Sequence, residues 1–252
     1  MPLDPKDLLR TRQCRLTPEL ALRTLDDARA FLNDRGILTR MPDCSLPSLF
    51  GACHEEPANP AGRGFDLWPK TKWIWSFQLT AGSGALLTKM HRGKSLYLSA
   101  KAARVFDPLV RKAIETAEGD DALLLDHLDR HGPSLSEDVQ LELGWDGKKL
   151  KAVRNRLERV GAIVSDGLVF ESSEKWYFAP MRRWDQVVDE GAPSVDPLGD
   201  AVVAGVQAAV VAPDSDVRSW FSWPVDRETV DRLVHQGRLS RTAPGTLVVA
   251  DR

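Results

Sequence analysis

Lys148, Lys151, Asn155 and Arg159 recur at spacings of three, four and four residues, the repeat of one face of an α-helix. Arg154 and Arg156 flank that line, and Glu158 is the only acidic residue between Lys148 and Val160. Leu150, Val153, Leu157 and Val160 fall on the opposite side, so one face packs while the other carries charge. Such a face suits the phosphate backbone and the major groove of DNA. Asn155, central in the line, has the amide that pairs bidentately with adenine, whereas the Lys and Arg side chains read guanine or neutralise phosphates. The plain alternative is a solvated amphipathic helix, because Lys and Arg are also good helix formers. A second basic group, Lys89, His91, Arg92 and Lys94, crowds around Gly93 at the expected tip of a hairpin. Hairpin tips of this kind lie against phosphates or in a groove.

Other reactive side chains form weaker patterns. Asp43, His54, Glu55, Glu56, Asp66 and His91 could converge, but carboxylates are common in this chain and chance proximity is the plainer reading. Cys44, Cys53 and His54 lack an obvious fourth ligand, so no metal site is expected. Gly82-Ser83-Gly84 has no phosphate-binding or dinucleotide pattern around it, and no cofactor is expected. Trp68, Trp73, Trp75 and Phe77 beside Lys70 and Lys72 invite base stacking, although a hydrophobic core is the better expectation for large aromatics.

The elements that must position the basic helix are readable around it. Asp120 caps a short helix carrying Leu124, Leu125 and Leu128, which stops at His131-Gly132-Pro133. Ser134 opens a second helix, with Glu137 at the reciprocal capping spacing. Asp146 caps the third, from about 147 to 160, and Gly161 closes it. β-Branched segments follow on either side of an Asp166-Gly167 turn signal. Three helices and a hairpin in that order describe a winged helix-turn-helix. Residues 197–252 repeat the plan, with apolar 198–211, two further helices at 214–221 and 226–236, and a wing around Ala243-Pro244-Gly245. The expected fold is therefore α+β, mainly α, with tandem winged helices. Its divisions are an N-terminal arm (1–23), read as a solvated tail, and a winged-helix-like unit with a Trp-rich insert (24–117). A central winged helix (118–184), a linker (185–196) and a C-terminal winged helix (197–252) follow. In the first unit, Thr24 caps a helix ended by Gly36, and Asp107-Pro108 restarts one that reaches about Thr116.

The formal net charge of −2 over 252 residues excludes a general polyanion binder, so nucleic-acid affinity must come from local patches. Three cysteines without framework spacing point to a reducing, cytoplasmic compartment. No apolar run approaches the ~20 residues of a membrane span, and the polar N-terminus is not a signal peptide. On the last third helix, Glu228, Asp231, Arg232 and His235 mix signs, which argues against phosphate contact and for a structural or protein-facing role.

Four segments carry a resemblance: TLDDARAFLNDRG (24–36), LPSL (46–49), WIWSFQL (73–79) and LTKMHRGKSLYLS (87–99). In this order, ahead of two winged helices, they resemble AlkZ-related proteins, compact relatives of the AlkZ/YcaQ winged-helix DNA glycosylases. The resemblance spans about Thr24 to the C-terminus and rests on pattern more than on any diagnostic motif. It implies tandem winged helices cradling double-stranded DNA and a place in DNA repair. In active relatives it implies excision of bulky alkylated or crosslinked purines, sometimes as antibiotic self-resistance. Those enzymes carry a catalytic triplet of Gln or His, an apolar residue, then Gln or Asp. Here Leu46-Pro47-Ser48 occupies the aligned place, and only Gln140-Leu141-Glu142, on a helix of the central unit, comes close. The scaffold and DNA binding carry over; the catalytic residues do not. If the chain is a DNA glycosylase, a carboxylate near the first wing must act as base, and Asp66 is the candidate. A winged-helix transcription regulator and a protein-interaction module are the other readings.

Overall fold

The computed structural model describes residues 5–165, 168–170, 176–243 and 245–250. The expected Asp166-Gly167 turn and Pro244 lie outside the described residues. Within them the chain is α+β and mainly helical, with small antiparallel sheets.

The elements fall into three successive groups of helices and short antiparallel strands. After a first helix, α1 (Pro5–Gln13), the N-terminal unit runs α2 (Leu25–Arg35), β1 (Ile37–Thr39), a stretch of 3-10 turns and α3 (Trp75–Gln78). It ends in the hairpin β2 (Leu86–His91) and β3 (Lys94–Leu98). A long helix, α4 (Ala100–Glu115), leads to the central unit: α5 (Gly119–His131), α6 (Ser136–Leu143) and α7 (Gly147–Arg159). Four short strands follow, β4 (Ile163–Val164), β5 (Leu168–Phe170), β6 (Trp176–Phe178) and β7 (Arg182–Arg183). The last unit is α8 (Pro197–Ala209), β8 (Ala212–Pro213), α9 (Asp214–Val217), α10 (Arg227–His235), β9 (Leu239–Ala243) and β10 (Thr246–Val249). In the outer two units the first strand pairs with the last, giving orders β1-β3-β2 and β8-β10-β9. In the central unit β4 pairs with β7 and β5 with β6, and the matching contact is a single bridge between Ser134 and Met181.

Local chemistry starts these elements where side chains meet free backbone N–H groups. Thr24 and Asp27 form a reciprocal capping box on α2, and Ser99, Asp146, Asp196 and Asp226 each accept from a backbone N–H in the first turn of their helices. The box expected at Ser134 and Glu137 does not form. The Ser134 hydroxyl donates to the Gly132 carbonyl, and α6 begins after Leu135 without a side-chain cap. Pro108 does not restart a helix either: α4 runs through it. The Arg104 carbonyl, which a proline cannot serve, faces Gly191, where a Cβ would lie 2.5 Å from it. Asp107 is buried beside it and accepts from Arg111, from the Trp184 indole and from the Gly191 amide, fixing the segment before α8 to α4. The second helix of the last unit is a single turn rather than eight residues, and the N-terminal segment is anchored rather than a free tail. Its Cys14 is buried against the carbonyls of Ala208 and Ala209.

Three buried clusters hold the molecule. Leu22, Phe31, Leu38, Leu49, Trp68 and Tyr97 fill the N-terminal unit, and Leu124, Leu128, Val139, Leu150, Leu157 and Met181 fill the central one. The third cluster joins the first unit's hairpin and α4 to the last unit, through Met90, Leu96, Phe106, Trp184, Val202, Trp220 and Leu233. No described helix is long and apolar enough to cross a membrane.

Candidate nucleic-acid interface

Helix α7 is set by its Asp146 cap, 2.6 Å from the Lys149 amide, and by Leu150, Val153 and Leu157, which sink into the central core. Its outer face carries Lys148, Lys151, Asn155 and Arg159, all exposed. None of these four side chains has a hydrogen-bond or ion-pair partner among the described residues. The other two predicted contacts differ. Arg156 is paired with Asp121 at 2.5 Å, and Arg154 donates to Glu158 at 2.8 Å and to Ser165 at 3.0 Å. Lys149 likewise pairs with Asp120 and lies over the Trp145 ring.

Glu158, the lone acid of the helix, is 1% exposed and turned inward. It accepts from Arg154, from the Ser165 hydroxyl and from Lys89 on β2. Burial alone would raise its pKa, but the charges of Arg154 and Lys89 and the bonds from Lys89 and Ser165 hold the carboxyl below the usual glutamate range. This network ties the N-terminal hairpin to α7. Gly161 adds a steric condition. Its φ of +75° ends the helix, and a Cβ there would lie 2.7 Å from the Met90 sulfur on β2.

The hairpin tip is tighter than the sequence implied. β2 and β3 pair up to His91 and Lys94, leaving a two-residue turn of Arg92 and Gly93, both with positive φ (+55° and +82°). Pairing out to that point decides where each side chain goes. His91 is a correction: instead of facing solvent at a basic tip it is fully buried, with Nδ1 2.5 Å from the Trp220 carbonyl and Nε2 3.3 Å from Asp43. Burial lowers its pKa despite those two partners. Lys89 is spent on Glu158 and Lys94 on Asp43, so Arg92 is the one cation of the four without a carboxylate partner among the described residues. A Cβ on Gly93 would sit 3.6 Å from the Arg159 side chain, so the turn rests beside the C-terminal end of the α7 line.

A cleft of about 280 Å³ opens next to that turn, lined among others by Arg40, Asp43, Trp68, His91 and Lys94. The Arg40 guanidinium lies 4.5 Å above the Trp68 ring. Trp68 is buried and Trp75 and Phe77 pack partly against the same core, so the aromatic run is mainly core, while Trp73 is 41% exposed. Asp43 is the single carboxylate of this cleft's lining. Desolvation pushes its pKa up, but the hydrogen bond from Lys94 and the charges of His91 and Lys94 outweigh that and keep it below the usual range. The sequence grouped Asp43 with His54, Glu55, Glu56, Asp66 and His91. Only Asp43 and His91 come together. His54 bonds the Arg15 carbonyl, Glu55 accepts from the Thr71 amide, and Asp66 is exposed on a 3-10 turn (Gly64–Leu67).

The triplet positions are also accounted for. Leu46 and Ser48 are buried beside β1, with the Thr39 amide donating to Pro47 O at 2.9 Å and the Ser48 hydroxyl donating to Arg40 O. Gln140 donates to Ser136 O within α6, and Leu141 points to solvent. No protein-family model, no curated protein and no solved structure matches this chain.

Proposed function

We propose that the three groups are tandem winged helices and that the chain binds double-stranded DNA through α7, in DNA repair or damage recognition, as its resemblance to AlkZ-related proteins implies. One observation carries this reading: four basic or amide side chains stand in line on α7 with no partner among the described residues, and the line ends beside the Arg92-Gly93 turn. From Lys148 to Arg159 the helix rises about 16 Å, more than the ~12 Å width of the major groove, so its two ends reach both bordering backbones. The test is a titration of a labelled random-sequence duplex followed by anisotropy at several salt concentrations. Affinity that falls steeply with salt supports the reading; no binding at low salt refutes it.

The glycosylase reading has one feature in its favour, the cleft beside the same turn. Glycosidic cleavage needs a positioned water and negative charge near the developing oxocarbenium ion. Asp66 is exposed and outside the lining, whereas Asp43 lies in it and is held ionised. A carboxylate already bound to Lys94 and His91 is a weak base. Excision of simple alkylpurines is therefore expected to be slow or absent even where binding is tight. A single-turnover assay with excess protein on an alkylated duplex measures it, and prompt base release would overturn the non-catalytic reading.

A further inference from the structure

Helices α5 and α6 meet at a group that DNA binding does not use. His127 and His131 stand one turn apart on α5 with rings stacked at 4.7 Å between centroids, and Glu142 reaches them from α6. Its Oε2 lies 3.4 Å from His127 Nδ1 and 3.5 Å from His131 Nε2. One donor atom from each residue lies within 4.8 Å of the other two. Around a tetrahedral zinc with bonds of about 2.0–2.1 Å, neighbouring donors stand about 3.3–3.4 Å apart, close to both Glu142 distances.

The hydrogen bonds at His127 sharpen the point. The Ser134 Oγ lies 3.0 Å from Gly132 O and 3.2 Å from His127 Nε2; when the hydroxyl donates to the carbonyl, its oxygen accepts from His127 Nε2–H. In the neutral ring Nδ1 then carries the lone pair, and it faces the Glu142 carboxylate, a second acceptor. In that tautomer a cation between the two satisfies both lone pairs. A proton on Nδ1 would leave an imidazolium in a residue that is 3% exposed. A metal ion takes both lone pairs, and an Nε2–H bound to a neighbouring oxygen is the outer support that metal-ligating histidines have. His131 is 51% exposed, which leaves an entry path.

We propose that His127, His131 and Glu142 bind a divalent transition-metal ion of the zinc class, with water in the fourth position, clamping α6 to α5. Two imidazoles and one carboxylate suit zinc, cobalt or nickel better than magnesium or calcium, which prefer oxygen ligands alone. A second group, Asp43, Cys44 and His91, also converges, but there Lys94 already holds Asp43 and the Arg92 guanidinium lies 3.1 Å from His91 Nε2. Burial also pushes the Cys44 thiol up to about 12, away from the thiolate a metal needs.

The test uses the full chain titrated with cobalt(II), read by the visible absorption of the tetrahedral ion, followed by displacement with zinc. One equivalent is expected to bind. His131→Ala and Glu142→Gln, both changes at half-exposed side chains, should each weaken binding at least ~10-fold, the loss that even outer-sphere changes cause. Asp43→Asn should bind as the wild type does, and zinc should raise the melting temperature of the wild type but not of the two ligand variants. Absence of stoichiometric binding, binding unchanged in both ligand variants, or loss in Asp43→Asn alone would each overturn the assignment.

Discussion

Replacing Lys148, Lys151 and Arg159 together by Ala tests the α7 face directly. These side chains have no partner among the described residues, and alanine is the best helix former, so the fold should survive the change. Each phosphate neutralised adds about 0.9 to the slope of log affinity against log salt. Removing three contacts should flatten that slope by roughly 2.7. At about 0.15 M salt the same relation gives a loss of about fivefold for one contact and roughly 150-fold for three. The expected outcome is a loss of at least ~10-fold together with the flattened slope, measured by anisotropy on duplexes of unrelated sequence. Asn155→Ala should instead reduce any preference for adenine and leave the slope alone. If the folded triple variant keeps both its affinity and its salt slope, α7 is not the contact surface.

Three further outcomes follow from the buried network and the last unit. Glu158→Ala leaves Lys89 and Arg154 without their carboxylate at an inter-unit contact, and urea denaturation should show a loss of about 3 kcal/mol. Because the folded state lowers the Glu158 pKa, its contribution is present above the unfolded value of about 4.3 and fades as pH falls through the folded value; the variant should lack that part of the acid sensitivity. His91 is also lowered in the folded state, so below about pH 6.5 the unfolded chain takes up a proton that the native one resists. Stability should fall as pH drops through that range, and melting of His91→Gln at pH 5 and 7 should show a smaller difference than the wild type. Arg227→Glu, at an exposed position on α10, should leave DNA affinity within about twofold; a large loss would make the last unit a contact surface.

The sequence carried local signals well and distant partners poorly. Thr24, Ser99 and Asp146 cap where their spacing to the first helical turn says they should, because a cap is decided within four residues. The α7 stripe was readable for the same reason: Leu150, Val153 and Leu157 share one face by period alone. His91 was misread because strand pairing continues to Lys94, and on a strand one residue of length decides between core and solvent. Ser134 was read as a cap, but its hydroxyl is taken by Gly132 and His127, the second of them seven residues earlier on α5. Glu158 showed in the sequence only as the one acid of the basic stretch, and its burial depends on Arg154, Ser165 and on Lys89 from 69 residues away. Asp43 could not be singled out at all, since its partners His91 and Lys94 come from a hairpin tip about fifty residues on.

A basic side chain acts on a distant phosphate only to the extent that its own protein has left it unmatched. By composition Arg154, Arg156 and Lys151 are alike, yet two of them face carboxylates of this chain and the third has none among the described residues. The last unit shows the same rule taken further. Arg232 and Arg238 close on Asp196, Arg238 also holds Asp200, and Arg241 joins Asp214 and Asp231. A unit whose arginines are engaged in this way presents paired charge, screened beyond about 8 Å at physiological salt. The formal charge of −2 describes the whole chain and not its local patches, so it does not by itself oppose DNA binding. Lys148, Lys151 and Arg159 on α7 and Arg92 on the adjoining turn have no carboxylate partner among the described residues, and Gly93 and Gly161 let these elements approach. The placement of a few aspartates and glutamates thus separates the last unit, where Arg232, Arg238 and Arg241 are matched, from the α7 face that the proposed DNA binding requires.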